Sequence, residues 1–353
     1  MLSFFSCFHL LSLIISSQYI QARTVPIHTI KFQNIDVKNH TWNEFEEFRD
    51  ATKGSLINGI SKLKKYFNRF GYLDEEDITN STDLFDSNLE IAITRYQSKL
   101  GLSVTGKLDS VTLSEIMSPR CGVADDRKTL HAAEKYVYFT GQPRWGRSIP
   151  MTLTYAFSPK FTITSLSTED LRGAFRRAFS HWSSVIPVAF VESDDYGFAD
   201  IKIGFYHGDH GDGEAFDGVL GVLAHAFSPE SGRFHLDAAE TWSVDFAAEK
   251  SRAAVDLESV ATHEIGHLLG LGHTDVKDAV MHPSLKPREK KVDLKVDDIK
   301  GVQALYGSNP NFSLEAYSES DMSSSSDGVD WHKVGGDRVK YWLLVMFMVW
   351  LCM

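Results

Sequence analysis

The sequence predicts an α+β protein in which a small helical domain precedes a larger domain of mixed strands and helices. Apolar residues recur at helical spacing between Gly54 and Met117, whereas short β-type runs begin at Met151. The chain has 353 residues, of which 43% are hydrophobic and 12% aromatic. It is therefore long enough to bury two cores.

Three helices are predicted in the small domain, at about residues 54–118, with turns at Gly71 and Gly101 between them. The expected core residues are Leu56, Ile60, Leu63, Tyr66, Phe67 and Phe70, then Leu89, Ile91, Ala92, Tyr96 and Leu100, then Leu108, Leu113 and Ile116.

The larger domain is predicted to begin with strands and to end with helices, which is an α+β arrangement. The predicted strands are Met151–Phe157, Val188–Glu192, Asp200–Phe205, Leu223–Phe227 and Phe234–Asp237. The predicted helices are Thr168–Ser184, Leu257–Leu269 and Val296–Tyr306.

The charge balance argues against one class of partner. The formal net charge is -11, from 36 basic and 47 acidic residues. A nucleic-acid-binding protein would normally present a basic face. We therefore expect no nucleic-acid partner, and we expect a monomer.

The N-terminus is typical of a secreted protein. The apolar run from Leu2 to Ile15 is followed by small and polar residues up to Ala22, so residues 1–22 are predicted to be a signal peptide. A buried helix is the alternative. Sequons at Asn39, Asn80 and Asn311 are candidate glycosylation sites of an exported chain.

The C-terminus predicts a lipid anchor. Small residues around 323–328, a polar spacer and an apolar run at 341–352 follow one another, which is the order of a GPI-anchor signal. We expect a linker at 308–327 and a removable signal at 328–353. A short transmembrane or peripheral tail is the alternative, although a span needs about 20 apolar residues. Both interpretations predict a cell-surface location.

Only one cysteine would remain in the mature secreted chain. Cys7 lies in the predicted signal peptide and Cys352 in the predicted anchor signal, which leaves Cys121. A lone thiol in an oxidising compartment has no internal disulfide partner. Cys121 is therefore expected to be buried or to have a function.

A catalytic metal centre is predicted on the second helix of the larger domain. His263 and His267 are four residues apart and share one helix face, so both can bind one metal ion. Glu264 lies about 100° around the helix, where it could reach a bound water. The chain can leave the helix at Gly270, so His273 can return as a third ligand. Three ligands leave an open position, as in catalytic zinc sites.

Three further segments resemble known protein families. Met281 follows His273 by eight residues and resembles the Met-turn of metzincins. The segment Pro119-Arg120-Cys121-Gly122-Val123-Ala124-Asp125 resembles the cysteine switch of matrixins (matrix metalloproteinases), in the plant-type layout without a hemopexin domain. Residues 84–108 resemble the peptidoglycan-binding-like domain of matrixin propeptides, although direct glycan binding is an alternative role for it.

The resemblance implies a zymogen. It implies a propeptide at 23–138 with the switch at 119–125, and a catalytic domain at 139–307 with a mixed twisted sheet and three helices. Cys121 would bind the catalytic zinc and exclude water, since a thiolate is a good zinc ligand. Arg120 and Asp125 would pair to shape the loop.

A second, structural zinc is predicted ahead of the catalytic helix. His and Asp residues in an irregular loop between strands suit such a site, but His207 with Asp209 and His210 with Asp212 are competing pairs. The matrixin pattern selects the second pair. The implied ligands are His210, Asp212, His225 and His235.

At least one calcium ion is also implied by the resemblance. Its carboxylate ligands would be Asp217, Asp237 and Glu240, with backbone oxygens near Gly218, Leu220 and Val222. A solvated acidic loop is the alternative. The short segment between His225 and His235 argues against a second calcium.

The expected activity is zinc-dependent hydrolysis of extended protein or peptide substrates, with Glu264 as general base. The side chain after the cleaved bond would enter a pocket walled by Val260, His263, Pro283 and Leu285. The alternative is a catalytically silent cell-surface binding protein. It would need a broken ligand set or a missing base, and the sequence shows neither. A hydrolase of non-peptide substrates would have no need for the propeptide motif.

Overall fold

The computed structural model describes residues 42–79, 82–125, 137–314 and 317. The predicted signal peptide, Asn39, Asn80 and the predicted anchor signal lie outside these residues. Asn311 lies within them and is exposed, as a glycosylation site requires. In the described part of the chain, no helix combines the length and the apolar character needed to cross a bilayer.

The N-terminal unit is helical, as predicted, but its described residues form four α-helices and a 3-10 helix where three helices were predicted. The predicted core residues Leu56 and Ile91 are exposed. Asp86 and Asp109 cap two of its helices, because their carboxylates accept hydrogen bonds from the backbone N–H of Leu89 and Thr112, both at 2.9 Å. A 3-10 helix at Asn43–Phe48 precedes the helices α1 Ile60–Arg69, α2 Glu75–Thr79, α3 Ser87–Lys99 and α4 Ser110–Ile116.

The core of this unit starts earlier than residue 54. Trp42, Phe45 and Phe48 are buried in the same apolar cluster as the helices. The ring centroid of Trp42 lies 5.1 Å from that of Tyr66, with the planes at 89°, an edge-to-face contact. Phe45 and Phe48 lie on the 3-10 helix and Trp42 directly precedes it, so this short segment extends the core.

A six-stranded mixed sheet is formed by β1 Arg120–Cys121 and five strands of the larger domain: β2 Met151–Phe157, β3 Val188–Glu192, β4 Ile201–Tyr206, β5 Val222–Ala226 and β6 Arg233–Asp237. The strand order is β1-β5-β6-β4-β2-β3. Among these strands β5 and β6 pair in antiparallel fashion and the other neighbours are parallel. A separate two-stranded sheet pairs β7 Thr241–Ser243 with β8 Ala254–Asp256.

Three helices complete this domain: α5 Thr168–Val185, α6 Leu257–Leu268 and α7 Val296–Tyr306. Ser167 caps α5 by accepting a hydrogen bond from the Asp170 backbone N–H. The apolar face of α5 packs on the sheet, with the Phe179 ring stacked 4.3 Å from that of Tyr155. Its Trp182 indole donates to the Thr262 carbonyl at 2.8 Å, which joins α5 to α6. The α+β prediction is confirmed.

Candidate metal centre and active site

Helix α6 positions the first two predicted zinc ligands. It begins after Asp256, whose carboxylate accepts a hydrogen bond from the Ser259 N–H at 2.8 Å. His263 and His267 lie on one face, and the chain then turns so that His273 approaches both. The three Nε2 atoms are 3.1, 3.1 and 3.2 Å from one another. Three imidazole nitrogens aimed at one point are a suitable donor set for zinc.

Hydrogen bonds at the other ring nitrogen fix each imidazole. The Nδ1–H of His263 donates to the Val280 carbonyl at 2.7 Å, and that of His267 donates to the Leu271 carbonyl at 2.8 Å. These bonds leave Nε2 with a lone pair for a metal. Burial lowers the pKa of His263 well below its usual value. The ring is thereby kept in its neutral, metal-binding form.

Met281, the residue of the predicted Met-turn, packs against helix α6. It is buried, and its sulfur packs so closely on α6 that a Cβ at Gly266 would collide with it. Asp298 holds this turn, because its carboxylate accepts hydrogen bonds from the N–H groups of Val280 and Met281 at 2.9 and 3.0 Å. Sequence reasoning missed Asp298. The sequence signal for it is an acidic residue in the first turn of the predicted helix that became α7.

Glu264 is completely buried beside this group. Burial raises its pKa to about 8. A carboxylate whose pKa lies near the working pH can both accept and return a proton. Its place on α6, adjacent to His263, keeps it out of the triangle of nitrogen atoms.

Cys121 is brought to the same point from the N-terminal part of the chain. Its Sγ lies 3.4 Å from Nε2 of His267 and accepts a hydrogen bond from the Val123 N–H at 3.4 Å. The thiol and the three histidines form one group of potential metal ligands. Burial and the neighbouring Glu264 carboxylate raise the pKa of Cys121 well above its usual value. A cation at this point would offset that effect and favour the thiolate.

The segment around Cys121 is held as a strand in a groove. On one side, Gly122 N–H donates to the Ala224 carbonyl of β5 at 2.8 Å. On the other, Cys121 N–H donates to the Pro283 carbonyl at 2.9 Å. A Cβ at Gly122 would lie 2.7 Å from Val222 Cγ1, so glycine permits this close approach. The groove therefore binds an extended chain through main-chain hydrogen bonds on both sides.

Arg120 and Asp125 form a fully buried ion pair, as the resemblance implies. The Arg120 guanidinium also lies 3.8 Å from the ring centroid of Phe70. Burial alone would raise the pKa of Asp125, but Arg120 and His273 hold it below its usual range. The loop is thus tied to the helical domain on one side and to the histidine group on the other.

A second group of potential ligands lies by the sheet and contains His210, Asp212, His225 and His235. Asp212 Oδ2 is 2.9, 2.8 and 2.7 Å from a ring nitrogen of His210, His225 and His235, respectively. Burial lowers the pKa of His225 and of His235 to about 4, so both are neutral. The competing residues His207 and Asp209 are exposed and lie outside this group.

The three predicted calcium carboxylates each accept a hydrogen bond from a backbone N–H of residues 218–222. Glu240 Oε1 accepts a hydrogen bond from the Leu220 N–H at 2.7 Å, and Asp237 accepts one from the Gly218 N–H at 3.2 Å. Asp217 accepts from the Val222 N–H at 2.7 Å. Burial raises the pKa of Asp237 to about 6 and that of Glu240 well above its usual value. Within the described residues, Glu240 Oε2 is buried without a hydrogen-bond partner.

A narrow cleft opens beside the histidine group. The four residues predicted to wall a substrate pocket, Val260, His263, Pro283 and Leu285, all line it. Cys121 and Glu264 also reach this cleft. The predicted pocket residues and the residues beside the histidine group therefore share one cleft.

Comparison with known proteins agrees with this architecture. A family model described as Matrixin matches residues 144–307, and one described as Putative peptidoglycan binding domain matches residues 58–116. Metalloendoproteinase 1-MMP of Arabidopsis thaliana is 53% identical over 323 residues, which cover 90% of this chain and 88% of the relative. Metalloendoproteinase 4-MMP of the same plant is 58% identical over 274 residues, covering 76% and 79%. Interstitial collagenase of Sus scrofa is 35% identical over 267 residues, covering 75% and 53%.

The mixed sheet, the histidine group and these relatives define a metalloendopeptidase. The chain belongs to the matrixin family of zinc metalloendopeptidases, and it resembles the plant members over most of its length. The family prediction from the cysteine-switch and histidine motifs is confirmed.

Proposed function

We propose that the chain is made as a latent zinc endopeptidase, in which His263, His267 and His273 bind the catalytic zinc and Glu264 is the general base. The observation that carries this proposal is the convergence of three imidazole nitrogens within 3.2 Å of one another beside the buried Glu264. Profiling the activated enzyme on a peptide library, with and without a zinc chelator, tests it. Cleavage should cease on chelation and return with zinc.

The reaction would proceed in the groove that the Cys121 segment fills. A substrate strand can form main-chain hydrogen bonds with β5 on one side and with residues 283–285 on the other. Zinc, when bound, would polarise the scissile carbonyl and acidify the attacking water. Glu264 would accept the proton of that water and then deliver it to the leaving amine. The side chain after the cleaved bond would enter the cleft lined by Val260 and Leu285.

Latency would come from the propeptide, at about residues 23–138, preceding the catalytic domain at 139–307. Cys121 would supply a fourth ligand to the zinc, because its Sγ lies 3.4 Å from His267 Nε2 and belongs to the same group of potential ligands as the three histidines. The segment that carries it occupies the groove. The propeptide would therefore block both the metal and the substrate strand.

Two further ions would stabilise the catalytic domain. His210, Asp212, His225 and His235 would bind a structural zinc, which is supported by their four potential ligand atoms lying close together. Asp217, Asp237 and Glu240, with backbone oxygens near Gly218, Leu220 and Val222, would bind calcium. The buried, unpartnered Oε2 of Glu240 supports a cation there, because a buried carboxylate oxygen without a partner is costly.

Removing calcium should lower thermal stability. Chelation with EGTA should reduce Tm by about 5–10 °C, since an ion at 100 times its Kd contributes about 2.7 kcal/mol. Differential scanning fluorimetry with and without 1 mM calcium measures this. The Glu240→Gln variant should lose most of the calcium effect, whereas the exposed loop variant Asp209→Asn should keep it. An unchanged calcium effect in Glu240→Gln would remove Glu240 from the site.

The proposed location is the outer face of the plasma membrane. A signal peptide at 1–22 would direct export, Asn39, Asn80 and Asn311 would carry glycans, and the signal at 328–353 would be exchanged for a GPI anchor after the linker at 308–327. A phosphatidylinositol-specific phospholipase should then release the protein from intact cells. Retention on the cells, while a GPI-anchored control protein is released, would indicate a membrane span or a different anchor.

A further inference from the structure

The three histidines of the metal centre differ in one respect. His263 and His267 each donate their Nδ1–H to a main-chain carbonyl of the catalytic domain, at Val280 and Leu271. His273 instead donates its Nδ1–H to Oδ1 of Asp125, at 2.7 Å. Asp125 belongs to the cysteine-switch segment, 148 residues earlier in the chain. The outer partner of one histidine is therefore supplied by the propeptide.

We propose that Asp125 is a positioning residue for His273, so that the propeptide holds the metal centre at two points: directly through Cys121 and indirectly through the Asp125–His273 hydrogen bond. The inference rests on the proposed binding of zinc by His263, His267 and His273. It assigns to Asp125 a role beyond pairing with Arg120.

The surroundings of Asp125 suit this role. Both side chains of the Asp125–His273 pair are fully buried, so solvent does not compete for the hydrogen bond. Arg120 also binds Oδ1, and the Tyr72 hydroxyl donates to Oδ2 at 2.9 Å. These contacts fix the direction of the carboxylate. A carboxylate that accepts a hydrogen bond from Nδ1–H selects the tautomer with a free Nε2 and makes that nitrogen a stronger ligand.

Release of the propeptide would remove both contacts together. When the segment around Cys121 leaves the groove, Asp125 leaves with it, and the Nδ1–H of His273 loses its carboxylate. Metal retention should therefore be stronger in the zymogen than Cys121 alone can explain. The loss of an outer-shell partner typically costs 10–100-fold in metal affinity.

The experiment measures zinc release from the full-length zymogen. All proteins carry Glu264→Ala, so that none can process itself. Zinc transfer to a chromogenic chelator is followed for the parent and for Asp125→Ala, Cys121→Ala and Tyr72→Phe. Zinc leaves the two proposed sites in separate kinetic phases. The phase that becomes faster in Cys121→Ala is assigned to the catalytic site. Tyr72→Phe is the matched control, because it removes a hydrogen bond to Asp125 but leaves the bond to His273.

Release in Asp125→Ala should be about 10–100-fold faster than in the parent, and Tyr72→Phe should release zinc nearly as slowly as the parent. In cobalt-substituted Asp125→Ala, the ligand-field bands should shift while the thiolate charge-transfer band persists. If Asp125→Ala loses the thiolate band, Cys121 has also left the metal. Asp125→Ala should then release zinc faster than Cys121→Ala does.

Equal rates of zinc release from Asp125→Ala and Tyr72→Phe would overturn the inference. If Asp125→Ala has lost the thiolate band, a rate of zinc release no faster than that of Cys121→Ala would also overturn it. The proposed function would survive either result, because the parent would still hold zinc at the three histidines. A parent zymogen without zinc at these histidines would overturn the proposed function and this inference together.

Discussion

Replacing Glu264 by Ala is expected to reduce peptide hydrolysis by at least ~10²-fold, the usual contribution of a general base. The proposed zinc ligands converge on a position that Glu264 does not occupy, so zinc content should not change. The measurement is kcat/KM of the activated enzyme on a quenched peptide, together with zinc content by mass spectrometry.

Glu264→Gln is the matched variant, because it keeps the shape of the buried side chain and removes only its ability to accept a proton. Both variants should be folded, zinc-loaded and nearly inactive. Activity close to that of the parent in either variant would remove Glu264 from the mechanism.

Replacing Cys121 by Ser should activate the zymogen without any activator. A neutral hydroxyl is a much poorer zinc ligand than a thiolate, so the bond that holds the segment on the metal would weaken. Purified full-length Cys121→Ser should hydrolyse peptides or process itself, whereas the parent zymogen should need mercurial or proteolytic treatment. Peptide hydrolysis and gel electrophoresis over time measure the two effects.

The double variant Cys121→Ser with Glu264→Ala is the control for self-processing, since it should remain intact unless another protease is present. A Cys121→Ser protein that is folded, zinc-loaded and still latent would contradict the switch. Latency would then come from the groove contacts, such as those that Gly122 and Cys121 form with Ala224 and Pro283.

Local signals explain why much of the fold could be predicted from the sequence. The predicted helix at Thr168–Ser184 differs from α5 by one residue, because the cap at Ser167 and the apolar period are both local features. The predicted strand at Met151–Phe157 matches β2. The histidine group also follows from spacing, since residues four apart on a helix share a face.

Features that depend on distant partners could not be predicted. Strand β1 is only two residues long, and it exists because Arg120 and Cys121 pair with β5, about 100 residues later. The hydrogen bond between Asp125 and His273 likewise joins distant segments. The 3-10 helix at Asn43–Phe48 was not predicted, because six residues are too few to show a helical period.

The loop ahead of β5 shows where composition alone was ambiguous. His207 with Asp209 and His210 with Asp212 have the same spacing, and only the family pattern separated them. In the structure, His210 and Asp212 converge with His225 and His235, because β5 and β6 pair His225 directly with His235. The register of two strands, rather than any local signal, brings this group together.

Zinc X-ray absorption of the purified zymogen tests the central claim most directly, namely that Cys121 is the fourth ligand of the catalytic zinc. The spectrum should show a sulfur scatterer about 2.3 Å from zinc, alongside histidine nitrogens at about 2.0–2.1 Å. The sulfur signal should vanish in Cys121→Ser, which leaves the chain around the proposed structural site unchanged. A zymogen with zinc bound only by nitrogen and oxygen would contradict the account.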